Sequence, residues 1–310
     1  MDAGRTARVE TELAPSWAEM DVEAYLRRIR YQGSLTPGID LLRSLHRAHL
    51  FTVPFENLDI HLRRKIVCDE SRILNKIINE HRGGFCYELN GAFAALLRAL
   101  GFRVTLLSGR VAREDGSLGP EFDHLTLRVV LRDDLRVDLE EPWLADVGFG
   151  ECFLEPLRLE SQAEQPQNGR VYRLTSRLIS RSTSHLTSAD NGFSLQVRVE
   201  DKWKTEYAFT LQPRELSDFA GMCHYHQTSP ESHFTRQRIC TLATPTGRIT
   251  LSDKKLIETV EGSRQERLLS SDLEWSAQLR ELFGIVLPES DIRNELARPV
   301  GSDQASLNRI

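Results

Sequence analysis

The chain contains 310 residues, of which 40% are hydrophobic and 27% are charged. This composition is typical of a compact globular protein, and a usual domain size of about 150 residues predicts two domains, with one or three also compatible. Lys and Arg number 40 and Asp and Glu 45, which gives a formal net charge of -5. Because no bulk positive field is present to hold phosphate backbones, nucleic acid is not an expected partner.

No segment of the sequence predicts secretion or membrane insertion. The first 17 residues contain no apolar run of signal-peptide length, and no window approaches the roughly 20 apolar residues that span a bilayer. The cysteines are odd in number, widely spaced and without a CxxC pair: Cys68, Cys86, Cys152, Cys223 and Cys240. This pattern is typical of reduced thiols, so we expect a cytoplasmic protein that binds no membrane.

The first hundred residues are predicted to be mainly helical. Apolar side chains recur at helical spacing from Met20 to Leu62, and the segment ELNGAFAALLRALGF carries an apolar stripe that stops at Gly101. We therefore expect a flexible N-terminus over residues 1–19 and a helical bundle over residues 20–102.

From Arg103 onward the pattern changes to short alternating segments. HLTLRVVL and SLQVRVE alternate clearly, and polar connections such as SQAEQPQNGR separate the segments. Residues 103–214 are therefore predicted to form an antiparallel barrel or sandwich. Residues 215–288 mix strand candidates with helices, and residues 289–310 form a polar tail that we expect to be frayed.

The segment RGGFCYELN, residues 82–90, is the most informative about chemistry. Gly83 and Gly84 permit a tight backbone turn, and Cys86 falls at the predicted start of a helix, where unpaired N–H groups and the helix dipole favour an anion. A thiolate at such a place is stabilised and is a nucleophile. The alternative interpretation of Cys86 is a small buried hydrophobic side chain at a helix start.

A nucleophilic cysteine needs a base and an orienting acid. His124 opens the strand candidate HLTLRVV, and Asp146 precedes the glycine-rich segment VGFG. The order Cys, His, Asp is that of a triad in which the carboxylate fixes the imidazole tautomer and stabilises the imidazolium. By spacing alone, a satisfied polar histidine and a turn-forming aspartate are the more frequent explanations of these two residues.

Four segments in this chain order resemble the arylamine N-acetyltransferase family: PFENLDIHL (residues 54–62), RGGFCYELN, HLTLRV and DVGFG. The segments HYHQTSPESHF (residues 224–234) and ELFGIVL are similar to that family as well, so the resemblance covers roughly residues 20–288. It implies an α+β fold with an N-terminal helical bundle, a central antiparallel β-barrel and a C-terminal α/β lid. It also implies a papain-like cysteine-enzyme core.

Carried over position by position, the resemblance implies Cys86 as nucleophile, His124 as imidazole and Asp146 as orienting carboxylate. It implies acetyl transfer from acetyl-CoA to an aromatic amine, hydrazine or hydroxylamine nitrogen through an acetyl-cysteine. The stretch between His124 and Asp146 is a few residues longer than is usual in the family. Asp138, in the charged segment RDDLRVDLEEP, is therefore a rival for the carboxylate role.

Substrate contacts are also implied by the resemblance alone. The residues matching family CoA contacts are Gly148, Tyr225 and Ser229. The candidate walls of an apolar slot for the aromatic ring are Phe55, Val111 and Phe149. A Ser/Thr/Pro turn around Ser229 and ordinary core packing of the apolar residues are the alternative interpretations.

The sequence leaves several alternatives open. Glu56 and Arg82 are predicted to form an ion pair that supports the Cys86 loop, or a solvated surface pair. The same triad serves a cysteine hydrolase or a transglutaminase-like acyl transferase, and an inactive CoA-binding relative is a third alternative. The zinc-binding alternative places two alternating histidines on one face of a strand and uses Cys223, His224, His226 and His233. We expect no metal, and the sequence predicts no oligomeric state.

Overall fold

The computed structural model describes residues 20–131, 141–178, 191–288 and 290–291, which form an α+β protein. The predicted flexible N-terminus, Asp138 and nearly all of the predicted polar tail lie outside the described residues. Within the described part of the chain, no helix combines the length and apolar character needed to cross a membrane. Each of the five cysteines is a free thiol.

Helices occupy most of the first hundred residues and return in the last third of the chain. The α-helices among the described residues are α1 (Val22–Arg28), α2 (Ile39–Leu50), α3 (Leu58–His61), α4 (Glu70–Leu74), α5 (Cys86–Ala99), α6 (Ala220–Thr228), α7 (His233–Arg236) and α8 (Asp272–Phe283). A π-helical turn, Asn75–Asn79, continues α4, and a 3₁₀ turn, Leu216–Phe219, precedes α6.

The strands belong to two antiparallel sheets. Those of the larger sheet are β2 (Arg103–Val111), β3 (His124–Val130), β4 (Pro142–Ala145), β5 (Leu157–Arg158), β6 (Gln165–Gln167), β7 (Arg170–Leu178), β8 (Asn191–Val199) and β9 (Lys202–Thr210). Those of the smaller sheet, called here the C-terminal sheet, are β1 (Phe55–Glu56), β10 (Ile239–Thr244), β11 (Gly247–Ser252), β12 (Lys255–Val260) and β13 (Ser263–Leu268).

The larger sheet curls into a nearly closed barrel with the strand order β5-β4-β3-β2-β9-β8-β7-β6. Its two outer strands, β5 and β6, are consecutive in the chain, and side-chain amides join them. Gln165 bonds the backbone of Arg158 at 2.8 and 3.2 Å, and Gln167 bonds that of Glu155 at 2.8 and 2.9 Å. These amides satisfy edge groups that backbone pairing leaves open. The predicted antiparallel barrel is confirmed.

The C-terminal sheet begins with a strand from the N-terminal part of the chain. Phe55 of β1 pairs with Thr241 of β10, so the segment before the Cys86 loop is built into this sheet. Side chains alternate between its two faces. One face, with Cys240 and Leu251, packs against α8, where Trp275 is buried. The opposite face therefore carries the neighbouring residues of the same strands.

Helix α5 carries Cys86 as its first residue. Its apolar side chains are buried against α1, α4 and strands β2 and β3, and Phe93 and Leu96 are fully enclosed. The helix stops as predicted, because Gly101 follows with φ +90°, a conformation that glycine adopts without strain. Helix α5 packs along β3, which begins at His124.

The two glycines before Cys86 are required for close approach rather than for a special backbone turn. Neither adopts a positive φ. A Cβ atom on Gly83 would lie 1.9 Å from the carbonyl oxygen of Pro54, and one on Gly84 would lie 2.5 Å from the Glu88 carboxylate. The glycines are needed because they let the Cys86 loop lie against β1 and α5, and not because they form a tight turn as the sequence predicted.

A buried ion network holds this loop. Arg82 donates through Nε to Glu56 at 3.0 Å and through Nη2 to Asp59 at 3.0 Å. Lys76 reaches Asp59 and Glu88 at 2.7 Å each. All five side chains are buried, so the predicted ion pair of Glu56 and Arg82 is confirmed and the solvated alternative is wrong.

Replacing Arg82 tests the stabilising role of this network. In Arg82→Met the buried carboxylates of Glu56 and Asp59 each lose one ion-pair partner, and Lys76 is the buried cation that remains beside them. We therefore expect the free energy of unfolding to fall by about 3–5 kcal/mol. Urea denaturation measures the change. The matched control is Arg27→Met, which removes an ion pair with Glu23 whose two side chains are 68% and 88% exposed. We expect that control to change stability by about 0–1 kcal/mol, and equal losses in the two variants would contradict the assignment.

Candidate active site

Cys86 is the first residue of α5 and is 4% exposed. The backbone amide of Leu125, the residue after His124, lies near the Cys86 thiol and favours the charged form. On the other side, Gly148 lies so close that a Cβ atom there would be 2.8 Å from the Cys86 Cα and 3.0 Å from its carbonyl oxygen. Only glycine fits at position 148, and the turn after β4 is thereby held against the thiol-bearing residue.

Burial raises the pKa of the Cys86 thiol well above its usual range. The N–H of Leu125 opposes this rise, whereas the nearby carboxylates of Asp146 and Asp123 add to it. Loss of solvation therefore opposes the stabilisation of a thiolate that the sequence predicts for the helix N-terminus. A thiolate in this buried site needs a compensating positive charge close by.

His124 and Asp146 form a close buried pair. The imidazole Nε2 of His124 lies 2.6 Å from the carboxylate Oδ2 of Asp146, and both side chains are buried. Because a carboxylate accepts hydrogen bonds, Nε2 carries the proton, and Nδ1 is the ring nitrogen with a free lone pair. The structure thus brings His124 and Asp146 of the predicted triad into direct contact and places Cys86 near the residue that follows His124. Asp138 lies outside the described residues.

The Asp146 carboxylate accepts four hydrogen bonds. Oδ2 receives His124 and the hydroxyl of Tyr207 at 2.8 Å, while Oδ1 receives Nδ2 of Asn90 at 2.9 Å and the N–H of Gly148 at 3.0 Å. Burial by itself raises the pKa of this carboxyl, but the charge and hydrogen bond of His124, with the bonds from Asn90 and Gly148, outweigh burial and leave the pKa below its ordinary value. Asp146 is therefore ionised at neutral pH.

Three residues that support this pair are absent from the sequence predictions. Asn90 lies one helical turn after Cys86 and also bonds the carbonyl of Leu125 at 2.6 Å. His46 of α2 accepts the N–H of Asp146 at 3.1 Å, and burial lowers its pKa to about 4, so it is neutral. Tyr207 of β9 supplies the hydroxyl described above. A signal existed only for Asn90, because it ends the segment RGGFCYELN.

The candidate substrate residues lie around this cluster. The ring centroid of Phe149 is 5.1 Å from that of His124. Phe55 faces Gly150, where an added Cβ atom would lie 3.7 Å from the Phe55 ring. Val111 lies on β2, two residues beyond Gly109, which pairs with His124. These side chains are half-buried rather than part of the closed core.

Two of the candidate CoA residues lie farther along the chain, on and after α6. Tyr225 is 37% exposed, and its described ring contact is with His226. Ser229 follows the helix in a turn in which its Oγ accepts the N–H of Glu231 at 3.2 Å. The described contacts join neither residue to the His124–Asp146 pair, whereas Gly148 touches Cys86 directly.

The strand needed for the zinc alternative is not formed. Residues 220–228 are helical, so Cys223, His224 and His226 do not alternate along a strand. His226 instead pairs with Asp123 at 3.2 Å. Among the residues that the structure describes, no group of three or more His, Cys, Asp or Glu side chains is arranged to hold a metal ion.

Comparisons with known proteins agree with this geometry. The sequence model of a family described as N-acetyltransferase matches residues 38–292. An arylamine N-acetyltransferase pineal gland isozyme of Gallus gallus is 31% identical over 307 residues, covering 93% of this chain and 100% of the relative. The structure of the arylamine N-acetyltransferase from M. tuberculosis superposes with a TM-score of 0.77 at 32% identity, covering 89% of this chain and 99% of that one. The Mycobacterium marinum arylamine N-acetyltransferase in complex with CoA superposes with a TM-score of 0.76 at 30% identity, covering 89% and 98%.

Glu88 connects the ion network to the start of α5 and gives a pH-dependent prediction. Its carboxylate accepts the N–H of Phe85 at 3.2 Å as well as the Lys76 ammonium. Burial raises the pKa of Glu88 from 4.5 to about 7, although Lys76 opposes the rise. Between pH 4.5 and about 7, Glu88 therefore holds a proton in the folded protein that it has already released in the unfolded chain.

We expect the wild type to lose stability relative to Glu88→Gln as the pH rises from about 4.5 through about 7, by at most about 1.4 kcal/mol per pH unit. The glutamine keeps an acceptor for Phe85 but does not titrate. Urea denaturation across this range measures the difference. Glu23→Gln, which changes an exposed carboxylate, is the control, and a pH-independent difference for Glu88→Gln would contradict the shift.

The competing roles of Asp146 and Asp138 are separated by alkylation of Cys86. Asp146→Asn keeps the side-chain volume but removes the charge that stabilises a His124 imidazolium. We expect the apparent pKa for iodoacetamide alkylation of Cys86 to rise by about one to three units, with Asp138→Asn unchanged. Circular dichroism confirms that both variants fold. The reverse result would give the carboxylate role to Asp138.

Proposed function

This chain belongs to the arylamine N-acetyltransferase family, and we propose that it transfers the acetyl group of acetyl-CoA to an arylamine or hydrazine nitrogen through an acetyl-Cys86 intermediate. The observation that carries the proposal is the position of the Cys86 thiol near the amide of Leu125, the residue that follows His124, together with the bond from Nε2 of His124 to the ionised Asp146. One difficult acyl transfer is thereby divided into two steps.

In the first step Cys86 gives its proton to Nδ1 of His124, and the thiolate attacks the thioester carbonyl. The Asp146 carboxylate stabilises the imidazolium, which a buried site would otherwise disfavour. The carbon–sulfur bond to CoA breaks, CoA leaves as a thiolate, and the imidazolium returns the proton to it. Free CoA and acetyl-Cys86 are the products of this half-reaction.

In the second step the neutral amine attacks the acetyl carbonyl of acetyl-Cys86. The nitrogen–carbon bond forms, the bond to the Cys86 sulfur breaks, and the proton from nitrogen passes to Nδ1 of His124. The thiolate–imidazolium pair is then restored. Arylamines suit this step because their weakly basic nitrogen is neutral at physiological pH, so it needs no deprotonation before attack.

Asn90, Tyr207 and His46 act as positioning residues in this proposal. Asn90 and Tyr207 hold the Asp146 carboxylate by side-chain hydrogen bonds, and neutral His46 holds its backbone N–H. With four donors on its carboxylate, Asp146 keeps its orientation toward Nε2 of His124. The imidazole therefore presents Nδ1 to the thiol in a single tautomer.

We assign the acceptor ring to the space bounded by Phe149 and Phe55, with Val111 as a further wall. Phe149 packs edge-on to the His124 ring at an interplanar angle of 80°, so an aromatic acceptor placed beside Phe149 brings its nitrogen near the imidazole. Aromatic walls with few polar groups favour a flat apolar ligand.

We assign CoA contacts to Gly148, Tyr225 and Ser229, and a relative solved with CoA supports CoA as the donor. The support from this chain is strongest for Gly148, which lies against the Cys86 backbone. No metal takes part in the proposed steps, and the cytoplasmic location remains a prediction from the sequence.

Intact-protein mass spectrometry tests the two-step mechanism. After incubation with acetyl-CoA alone, the wild type is expected to carry one acetyl adduct on Cys86, which disappears when an arylamine is added. Cys86→Ser is expected to show neither the adduct nor transfer, because a hydroxyl has a much higher pKa than a thiol. Cys152→Ser, which changes another free thiol, is the control and keeps both. Transfer without an adduct in the wild type would replace this mechanism by direct attack in a ternary complex.

A further inference from the structure

Arg248 is a cation on the face of the C-terminal sheet that lies opposite α8. The register pairs Phe55 with Thr241 and Arg248 with Ala243, two residues along the same strand, so these side chains share one face. The other face packs against α8. Arg248 therefore lies on the same side of the sheet as Phe55. The Phe55 ring faces Gly150 in the turn after β4.

The guanidinium of Arg248 has few partners for a half-buried charge. Its Nη1 donates to Oγ1 of Thr241 at 3.0 Å, and Thr241 is held in turn by Oγ1 of Thr250 at 2.8 Å. Among the described residues, no carboxylate lies within ion-pair distance of Arg248. Glu151, the carboxylate that acts on it from farther away, is paired with Arg170. One donor of the guanidinium is oriented by Thr241, and the others remain for a ligand.

The electrostatic environment agrees with that geometry. Burial lowers the pKa of Arg248, with Arg170 adding to the fall and Glu151 opposing it. A desolvated guanidinium without a paired anion is unfavourable, and an anion bound beside it removes that cost. The arrangement favours an oxyanion with two acceptor atoms, because the planar guanidinium donates two parallel N–H groups.

The position of Arg248 relates this cation to the reacting thiol. Thr241, its hydrogen-bond partner, pairs with Phe55, and Phe55 faces Gly150, two residues after the Gly148 that touches Cys86. These contacts place the guanidinium of Arg248 on the side of the sheet that faces the turn carrying Gly148 and Gly150.

We propose that Arg248 binds a phosphate group of the acyl donor, which rests on the proposed use of acetyl-CoA. Thr241 fixes one edge of the guanidinium, and the other edge receives the phosphate oxygens. The phosphate supplies the negative charge that the described part of this chain does not place beside Arg248. A carboxylate on the acyl chain has similar chemistry, so the experiment must distinguish it from a phosphate.

Donors with and without phosphate test the proposal. For each protein, kcat/KM is measured with acetyl-CoA and with acetyl-pantetheine, which carries no phosphate. The measured ratio is kcat/KM for acetyl-CoA divided by kcat/KM for acetyl-pantetheine. In Arg248→Met we expect this ratio to fall about tenfold to a hundredfold, because the KM for acetyl-CoA rises. Arg248→Lys is expected to recover part of the ratio, since it keeps the charge but not the paired donors. Arg198→Met, which removes a half-buried arginine paired with Glu164, is the control with the wild-type ratio.

Each outcome decides the proposal. An unchanged ratio in Arg248→Met overturns it, and turnover of acetyl-pantetheine by that variant confirms that the site is folded. A larger loss with malonyl-CoA than with acetyl-CoA assigns Arg248 to an acyl carboxylate and also overturns the phosphate assignment. Calorimetric titration with CoA, which needs no turnover, is expected to show the same weakening in Arg248→Met. Failure of the wild type to form the acetyl adduct would refute the proposed function. The titration would still test the phosphate contact in that case, because it measures CoA binding without turnover.

Discussion

The buried carboxylate of Asp146 makes the contacts on which the rest of the site depends. An ionised carboxyl removed from water is stable only when hydrogen-bond donors replace its solvation, and here four donors do so. They come from β3, β9, α5 and the turn after β4. The bundle and the barrel must both be assembled before this charge is satisfied, so the geometry of His124 follows from the completed fold rather than from one loop.

A second buried charge cluster fixes the other partner of the chemistry. The network of Arg82, Lys76 and three carboxylates anchors the backbone immediately before Cys86, and Glu88 bonds the N–H of Phe85. Such a network is weak evidence for stability compared with an apolar core, but it specifies one arrangement of the groups that share it. Imidazole and thiol are thus positioned by separate polar clusters that meet where α5 lies against β3.

The sequence was informative wherever chemistry and local pattern coincide. Cys86, His124 and Asp146 lie in short segments with recognisable glycines or strand alternation. The longer barrel strands β2, β3, β7, β8 and β9 follow from their apolar pattern, whereas the short strands β4, β5 and β6 were not predicted. Tyr207 was not predictable, because an aromatic residue in a strand is usually core packing and its partner Asp146 is distant in the chain. Strands β12 and β13 were missed because β12 buries only one side chain and every side chain of β13 is exposed. Gln165 looked like a connection, and only closure of the barrel gives it a role.

The two-residue strand β1 joins the two halves of the site mechanically. Phe55 faces Gly150 at the edge of the proposed acceptor space, while its neighbour Glu56 enters the ion network and donates its N–H to the carbonyl of Gly84 at 2.9 Å. Adjacent strand residues point to opposite faces, so Phe55 and Glu56 contact different parts of the site. A displacement of the C-terminal sheet therefore moves the Phe55 ring and the backbone of Gly84 together. The width of the acceptor space and the position of the sulfur are therefore not independent variables in this fold.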